Sequence, residues 1–173
     1  MKKIIILVIV FLLMSVNALA EVKANPWETL KVLEGKWVAE KKGFSKVTQQ
    51  YKFILKNKYL QMKTKAVFEP TEKNPDGEIH EDMAIFSFDR NRNVFVMRGF
   101  YAEGFVNTYT LNKNEDGKIL TLLSESIENG MPGMKAKLVF SIKSADEFEQ
   151  SFFVAFPNRD YACFLGNKFV REK

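Results

Sequence analysis

The sequence predicts an all-β fold, a roughly ten-stranded antiparallel up-and-down barrel with a short N-terminal helix that closes one end. Segments rich in aromatic and β-branched residues recur at roughly ten-residue intervals after Gly35, as in all-β chains. Clusters of turn formers such as "DRNRN", "NEDG" and "FPNRD" separate them. Successive strands with short links favour a closed sheet, because closure removes exposed edges.

The first twenty residues have the pattern of a cleavable signal peptide. Lys2 and Lys3 precede the apolar run 4–14, and the small residues "ALA" predict a cut after Ala20. The run is too short for a stable membrane anchor, and no cysteine follows it that could carry a lipid. We therefore expect one domain, residues 21–173, that is periplasmic or secreted and not anchored to a membrane.

Charge and cysteine content narrow the class of protein further. Loss of the leader lowers the formal net charge from +5 to +3, which is too small an excess to indicate a nucleic-acid partner. Lysines without an intervening acid lie between Glu40 and Glu69, and we interpret them as a soluble outer face rather than a surface for anionic partners. The single cysteine, Cys163, excludes an internal disulfide, so packing must stabilise the fold.

The segment "NPWETLKVLEG" predicts a short helix. Asn25 is placed as the N-cap, Pro26 as the first helical residue and Glu28 as the capping-box partner. Gly35 is placed to end the helix. Its apolar stripe consists of Trp27, Leu30 and Leu33.

Strands follow this helix in one continuous series. Residues 69–77, "EPTEKNPDG", form the longest loop between them. The predicted strands are residues 36–42, 45–55, 59–69, 78–88, 94–100, 105–111, 118–128, 135–143, 147–156 and 161–171.

Alternation along three strands predicts which side chains face the lumen. The inward faces are Ser45, Val47, Gln49, Tyr51, Phe53 and Leu55; Phe105, Asn107, Tyr109 and Leu111; and Phe148, Gln150, Phe152, Val154 and Phe156. These faces mix aromatic side chains with amides and hydroxyls, which is typical of a ligand cavity, and a barrel of this width need not be filled by its own side chains. The alternative is a packed core with satisfied amides. The predicted ligand-binding residues are Tyr51, His80, Arg98, Tyr109, Gln150 and Phe152.

Two segments carry a resemblance to a known superfamily. "LEGKWVAE" places Gly35-Lys36-Trp37 at the start of the first strand, and the last strand ends in "FVREK" with Arg171. This arrangement resembles the calycin superfamily of lipocalin-like and fatty-acid-binding-like barrels. The resemblance implies that Arg171 packs across the Trp37 ring and closes the end of the barrel.

Within the calycins, the succession of strands through "KYLQMKTKAVFEP" and "GEIHEDMAIFSFDRNRNVFVMRGF" is similar to bacterial lipocalin-like domains of unassigned function. It is also similar to nitrobindin-type haem-binding barrels. Those proteins contain a "His-Glu" segment, and His80-Glu81 matches it. Those proteins bind haem iron through a different histidine near the end of the barrel, where this chain offers only Tyr161 and Cys163. Haem binding is therefore an alternative, and we expect no resident cofactor.

The only histidine, His80, does not predict a metal site. On a strand, His80 and Asp82 share one face while Glu81 points the other way, and Cys163 is far away in sequence.

We expect an exported barrel that binds a small, largely apolar molecule without transforming it. Arg98, in "VFVMRGFY", would pair with a ligand carboxylate if it faces inward, and is otherwise an outward charge. One alternative is an enzyme that uses His80 and Asp82 beside a cavity, although no nucleophile signature accompanies them. Another is a packed barrel that serves as an envelope interaction module through an exposed apolar patch.

Overall fold

The computed structural model describes residues 26–41, 45–113 and 117–173. The helix α1 (Glu28–Lys31) precedes ten strands. The strands are β1 (Gly35–Lys41), β2 (Ser45–Ile54), β3 (Tyr59–Phe68), β4 (Glu78–Asp89), β5 (Val94–Phe100), β6 (Val106–Lys113), β7 (Ile119–Glu128), β8 (Lys135–Ser144), β9 (Glu147–Ala155) and β10 (Ala162–Arg171). The predicted fold class is confirmed, and no helix in these ranges is long and apolar enough to cross a membrane.

Each strand pairs antiparallel with its neighbours in sequence, and β1 pairs with β10 to close the barrel. This closing seam is short. It consists of the pairs Trp37–Arg171 and Val38–Val170, whereas β10 pairs with β9 from Ala162 to Val170. We call the end of the barrel at α1 the base and the opposite end the mouth.

The helix is a single turn, shorter than predicted. It begins after Trp27, which occupies the N-cap position without a side-chain capping bond. The predicted cap, Asn25, lies outside the described residues. Leu30 and Leu33 are buried, so the turn acts as an apolar plug at the base.

Arg171 completes the base from the opposite end of the sequence. Its guanidinium carbon lies 4.1 Å from the centre of the Trp37 ring. Its nitrogens donate to the carbonyl oxygens of Glu34 (2.7 Å), Val32 (3.0 Å) and Ala145 (2.7 and 3.0 Å). The base is thus held by a planar cation that satisfies carbonyls from both ends of the sequence.

A methyl group at Gly35 would overlap this guanidinium, and the Gly35 φ of +126° also favours glycine. Gly35, the first residue of β1, therefore provides both the entry into the strand and the space for Arg171.

Aromatic rings fill the lower lumen around Phe148. Ring centres of Trp37, Phe169, Phe140 and Tyr51 lie 4.7, 5.0, 5.9 and 6.5 Å from the Phe148 ring. These side chains are fully buried. The base half of the barrel is consequently a packed core.

Two residues predicted to face the lumen do not. Leu55 is exposed, because β2 ends at Ile54 and a turn with left-handed backbone follows (Leu55 φ 49°). Phe156 is exposed, because β9 ends at Ala155 and Pro157 follows, which cannot continue a strand ladder.

Candidate functional site

Burial of the inward side chains of β3 decreases from the base to the mouth, whereas Ala39, Val47 and Ala136 stay buried near the mouth on other strands. Along β3, Leu60 and Met62 are buried, whereas Thr64, Ala66 and Phe68 on the same face are half-buried. On β10, the inward residue Leu165 is 48% exposed. Water therefore reaches the inside of the barrel from the mouth. We call this half of the interior the upper lumen; its inward residues include Gln49, Thr64, Asp82, Asn107, Gln150 and Phe152.

A chain of hydrogen bonds forms the floor of the upper lumen. Tyr51 Oη donates to Gln49 Oε1 (2.9 Å), and Gln49 Nε2 donates to Gln150 Oε1 (2.9 Å). Tyr51 and Gln49 are buried, and burial raises the pKa of the Tyr51 phenol, so it remains a neutral donor. This series of hydrogen bonds links β2 to β9 across the interior, on the inner side of the short seam between β1 and β10. The predicted residues Tyr51 and Gln150 meet here through Gln49.

A second polar group lies on β6, on the wall formed by β4 to β6. Asn107 Nδ2 donates to Tyr109 Oη (2.7 Å), and the hydroxyls of Tyr109 and Tyr101 are 3.5 Å apart. Asn107 is only 5% exposed, and its Oδ1 has no hydrogen-bond partner in the described part of the chain. Burial raises the pKa of Tyr109 and, more strongly, that of Tyr101, so both phenols stay protonated. An unpaired buried amide oxygen is costly unless another group supplies a donor.

Tyr101 reaches this group because Gly99 gives it room. A methyl group at Gly99 would lie 2.7 Å from Tyr101 Oη and 2.9 Å from the ring carbon Cζ. Tyr101 follows β5 and folds back over the glycine. Sequence analysis missed Tyr101, although a glycine inside a strand is a signal that another group approaches the backbone closely.

Asp82 brings a carboxylate into the same wall. It is half-buried and faces inward beside Thr64, its neighbour on β3. Asp82 Oδ1 accepts a hydrogen bond from the backbone N–H of Ala102 (3.0 Å). Burial raises the pKa of Asp82 by more than the Ala102 N–H lowers it.

His80 lies at the rim of the mouth, held on both sides by carboxylates. Its Nε2 is 2.7 Å from Glu78 Oε1, and its Nδ1 is 2.6 Å from Glu103 Oε1. Partial burial lowers the pKa of His80, but the hydrogen bonds and charges of Glu78 and Glu103 raise it by more. A protonated ring donates from both nitrogens, and these two contacts join the start of β4 to the loop after β5.

The two carboxylates lie at opposite nitrogens of the His80 ring, so these side chains hold the rim together and do not form a set of metal ligands. Within the described ranges, no group of three or more His, Cys, Asp or Glu side chains is arranged to hold a metal ion.

The structure places Arg98 outside the lumen, contrary to its predicted role as a ligand-binding residue. The side chain is exposed, and its Nη1 lies 3.5 Å from Ser87 Oγ on the outer face of β4. Phe152 faces the upper lumen and is half-buried, with its ring edge-on to Phe164 at 6.2 Å. Tyr109 lies in the second polar group.

The two conceivable haem ligands also lie outside the lumen. The Tyr161 ring is 4.7 Å from Lys137 Nζ, on the outer face of β8. Cys163 is exposed and pairs with Phe153, whose ring the same lysine covers at 4.4 Å.

A broad concavity of about 740 Å³ lies on the outer face of β1 to β5. Its outward-facing lining includes Lys36, Gln50, Lys63, Met83 and Phe100, which are neighbours across five adjacent strands. Its lining also includes Gln49, Thr64 and Asp82, which belong to the inward-facing positions of the same strands.

Comparison with known proteins supports the fold. Neither a protein-family model nor a curated protein matches the chain. The structure is similar to the crystal structure of Rv2717c from M. tuberculosis, with a TM-score of 0.63 over 87% of this chain and 99% of that chain. The sequences are 13% identical, so the similarity shows the fold alone: a closed ten-stranded antiparallel β-barrel.

Proposed function

We propose that this chain is an exported lipocalin-like barrel that binds a small, largely apolar molecule in the upper lumen without transforming it. One observation carries the proposal: beside the half-buried inward side chains of the upper lumen lies an enclosed amide oxygen, Asn107 Oδ1, that nothing in the described chain satisfies and that a guest would reach by displacing the side chains over it. A guest with a donor group would satisfy it.

The walls supply the affinity. Apolar side chains line the upper lumen on several strands: Ala66, Phe68, Phe152, Val154 and Leu165. A guest that loses about 300 Å² of apolar surface there gains roughly 7 kcal/mol, at about 25 cal/mol per Å². Loss of translational and rotational freedom offsets part of this gain, so the polar groups decide which guests bind.

A pair of substitutions on β3 tests the site. Ala66→Trp adds an indole to the lumen-facing side, and Val67→Trp adds the same group to the outer face one residue later. We expect wild type and Val67→Trp to bind the neutral fluorophore N-phenyl-1-naphthylamine, and Ala66→Trp to lose that binding. Equal binding by both variants would contradict a lumenal site.

Native mass spectrometry of protein isolated gently from its own cells provides an independent test. We expect additional mass from a bound small molecule in wild type and less of it in Ala66→Trp. A wild-type barrel that is always empty would overturn the proposal.

The structure favours neither the haem nor the enzyme alternative. Tyr161 and Cys163 face outward, so haem in the lumen would gain no axial ligand from them. Glu78 and Glu103 occupy both ring nitrogens of His80, so neither nitrogen is free to contact a substrate as a general base. A hemin titration that gives a Soret band shifted by Tyr161→Phe or Cys163→Ser would reinstate haem binding.

A further inference from the structure

We infer that the upper lumen selects amphiphiles whose head group donates hydrogen bonds, primary ammonium above all, and rejects carboxylates. This inference rests on the proposed function and names the ligand class of the same site.

The charged side chains that face the upper lumen are mainly acidic. Asp82 is an inward carboxylate, and the charge of His80 is already matched by Glu78 and Glu103. Every lysine and arginine of β2 to β9 whose side chain the structure describes lies on the outer face, as Lys65 does in its 3.0 Å ion pair with Glu81. Arg171 is at the base, on Trp37. A fatty-acid carboxylate would therefore meet Asp82 without a compensating cation.

The hydrogen-bonding groups are the second step. Asn107 Oδ1 and Thr64 Oγ1 are both buried and unpartnered in the described chain. The amide nitrogen of Asn107 is already used by Tyr109 Oη. Thr64 is the direct cross-strand neighbour of Asp82, and Tyr101 extends from the adjacent strand to the Tyr109 hydroxyl. Acceptors therefore gather on the wall formed by β3 to β6.

The match to a head group follows from donor counting. A primary ammonium has three N–H donors and no acceptor. The wall offers it the half-buried Asp82 carboxylate, whereas Asn107 Oδ1 and Thr64 Oγ1 are enclosed and would accept from the ammonium only after the side chains over them move. A hydroxyl has one donor and gains no charge pairing. A carboxylate has no donor and is repelled by Asp82. The expected order of affinity is amine, then alcohol, then carboxylate.

Dodecylamine, 1-dodecanol and dodecanoate test this order, because they share a chain and differ in the head. Each is titrated at pH 7.5 against wild type carrying N-phenyl-1-naphthylamine, and displacement gives its dissociation constant. We expect dodecylamine to bind at least about tenfold more tightly than dodecanoate, because only the ammonium gains a charge-assisted hydrogen bond to Asp82. This comparison needs no substitution.

Matched variants then locate the preference. Asp82→Asn should weaken dodecylamine roughly tenfold and change 1-dodecanol less than about twofold. Glu81→Gln removes the neighbouring carboxylate on the outer face and should change neither. Thr64→Val, which deletes an unpartnered oxygen, should weaken both dodecylamine and 1-dodecanol. Circular dichroism of each variant checks that the barrel is intact.

The outcomes separate the two proposals. The head-group selectivity is overturned if dodecanoate binds as tightly as dodecylamine, or if Asp82→Asn binds the amphiphiles as Glu81→Gln does. In either case the proposal of a lumenal binding site still stands. Failure of wild type to bind the fluorophore and all three amphiphiles overturns the proposed function itself.

Discussion

Replacing Arg171 by alanine should strongly destabilise the barrel. The side chain lies on Trp37 and donates to carbonyl oxygens of Val32, Glu34 and Ala145, so its loss leaves all of them without that partner. These carbonyls belong to the segment around α1 and to the turn between β8 and β9. The substitution therefore loosens the base and the short seam together.

The magnitude follows from the contacts. A hydrogen bond to a charged group contributes about 1.5–3 kcal/mol when buried, and partial exposure reduces this to about 1 kcal/mol for each of the three carbonyls. The stacked cation and indole add about 1 kcal/mol. Since the Arg171 side chain is 27% exposed, we expect Arg171→Ala to lower the free energy of unfolding by about 4 kcal/mol.

Urea unfolding, followed by tryptophan fluorescence, measures the change. We expect a lower midpoint with an unchanged m-value. Arg171→Lys keeps the charge but not the planar fork, so it should lose about half as much. Arg159→Ala, in the exposed turn after β9, is the control and should cost less than about 0.5 kcal/mol.

Two results would refute this reasoning. Arg171→Lys as stable as wild type would show that the fork geometry contributes nothing. A loss below about 1 kcal/mol in Arg171→Ala would show that water replaces the guanidinium at these carbonyls.

Other parts of the barrel give predictions of the same kind. Phe148→Ala, at the centre of the packed rings, should lower the free energy of unfolding in urea by about 3–5 kcal/mol. The control is Phe164→Ala, which removes a ring that is 79% exposed and should lower it by less than about 0.5 kcal/mol. Similar losses in the two variants would contradict a packed base. Gly99→Ala should cost about 1–2 kcal/mol, and less when Tyr101 is also changed to leucine; a double-mutant cycle without coupling would refute the contact. The proton NMR titration of His80, the only histidine, should have its midpoint above 6.5. Because folding favours the charged ring, wild type should melt at a higher temperature than His80→Gln below pH 6.5, and this difference should disappear as the pH rises through the pKa of His80 in the folded state. A difference in melting temperature that grows with pH would contradict a raised pKa.

The strands were predictable because their signals are local. The strand predicted at residues 59–69 is β3, Tyr59–Phe68, and the one predicted at residues 94–100 is β5, Val94–Phe100. Alternation of apolar and polar residues and clusters of turn formers can be recognised within a few residues, so a strand can be predicted without knowing which strand it pairs with. Leu55 and Phe156 show the limit, because backbone turns end their strands before the apolar pattern ends.

Arg98 was ambiguous because three buried apolar residues in a row precede it in β5. Phe95, Val96 and Met97 are all buried, so apolar residues occur consecutively and the alternation no longer shows which side is inside. Only pairing with β4, which places Arg98 near Ser87, resolves its direction.

The polar groups of the lumen depend on contacts that no local pattern contains. Gln49 and Gln150 hydrogen-bond across 101 residues of sequence. By contrast, Glu78 lies two residues before His80, and alternation alone would place it on the same face as the histidine.

The short seam between β1 and β10 has a consequence for how the barrel forms. The other strand pairs join sequence neighbours, but the Arg171 contact with Val32 spans 139 residues. Closing a loop of that length costs about 3 kcal/mol more chain entropy than closing a four-residue hairpin. A chain lacking the segment around Arg171 would thus fold as an open sheet with two unpaired edges, and ring closure is the step expected to limit the folding rate.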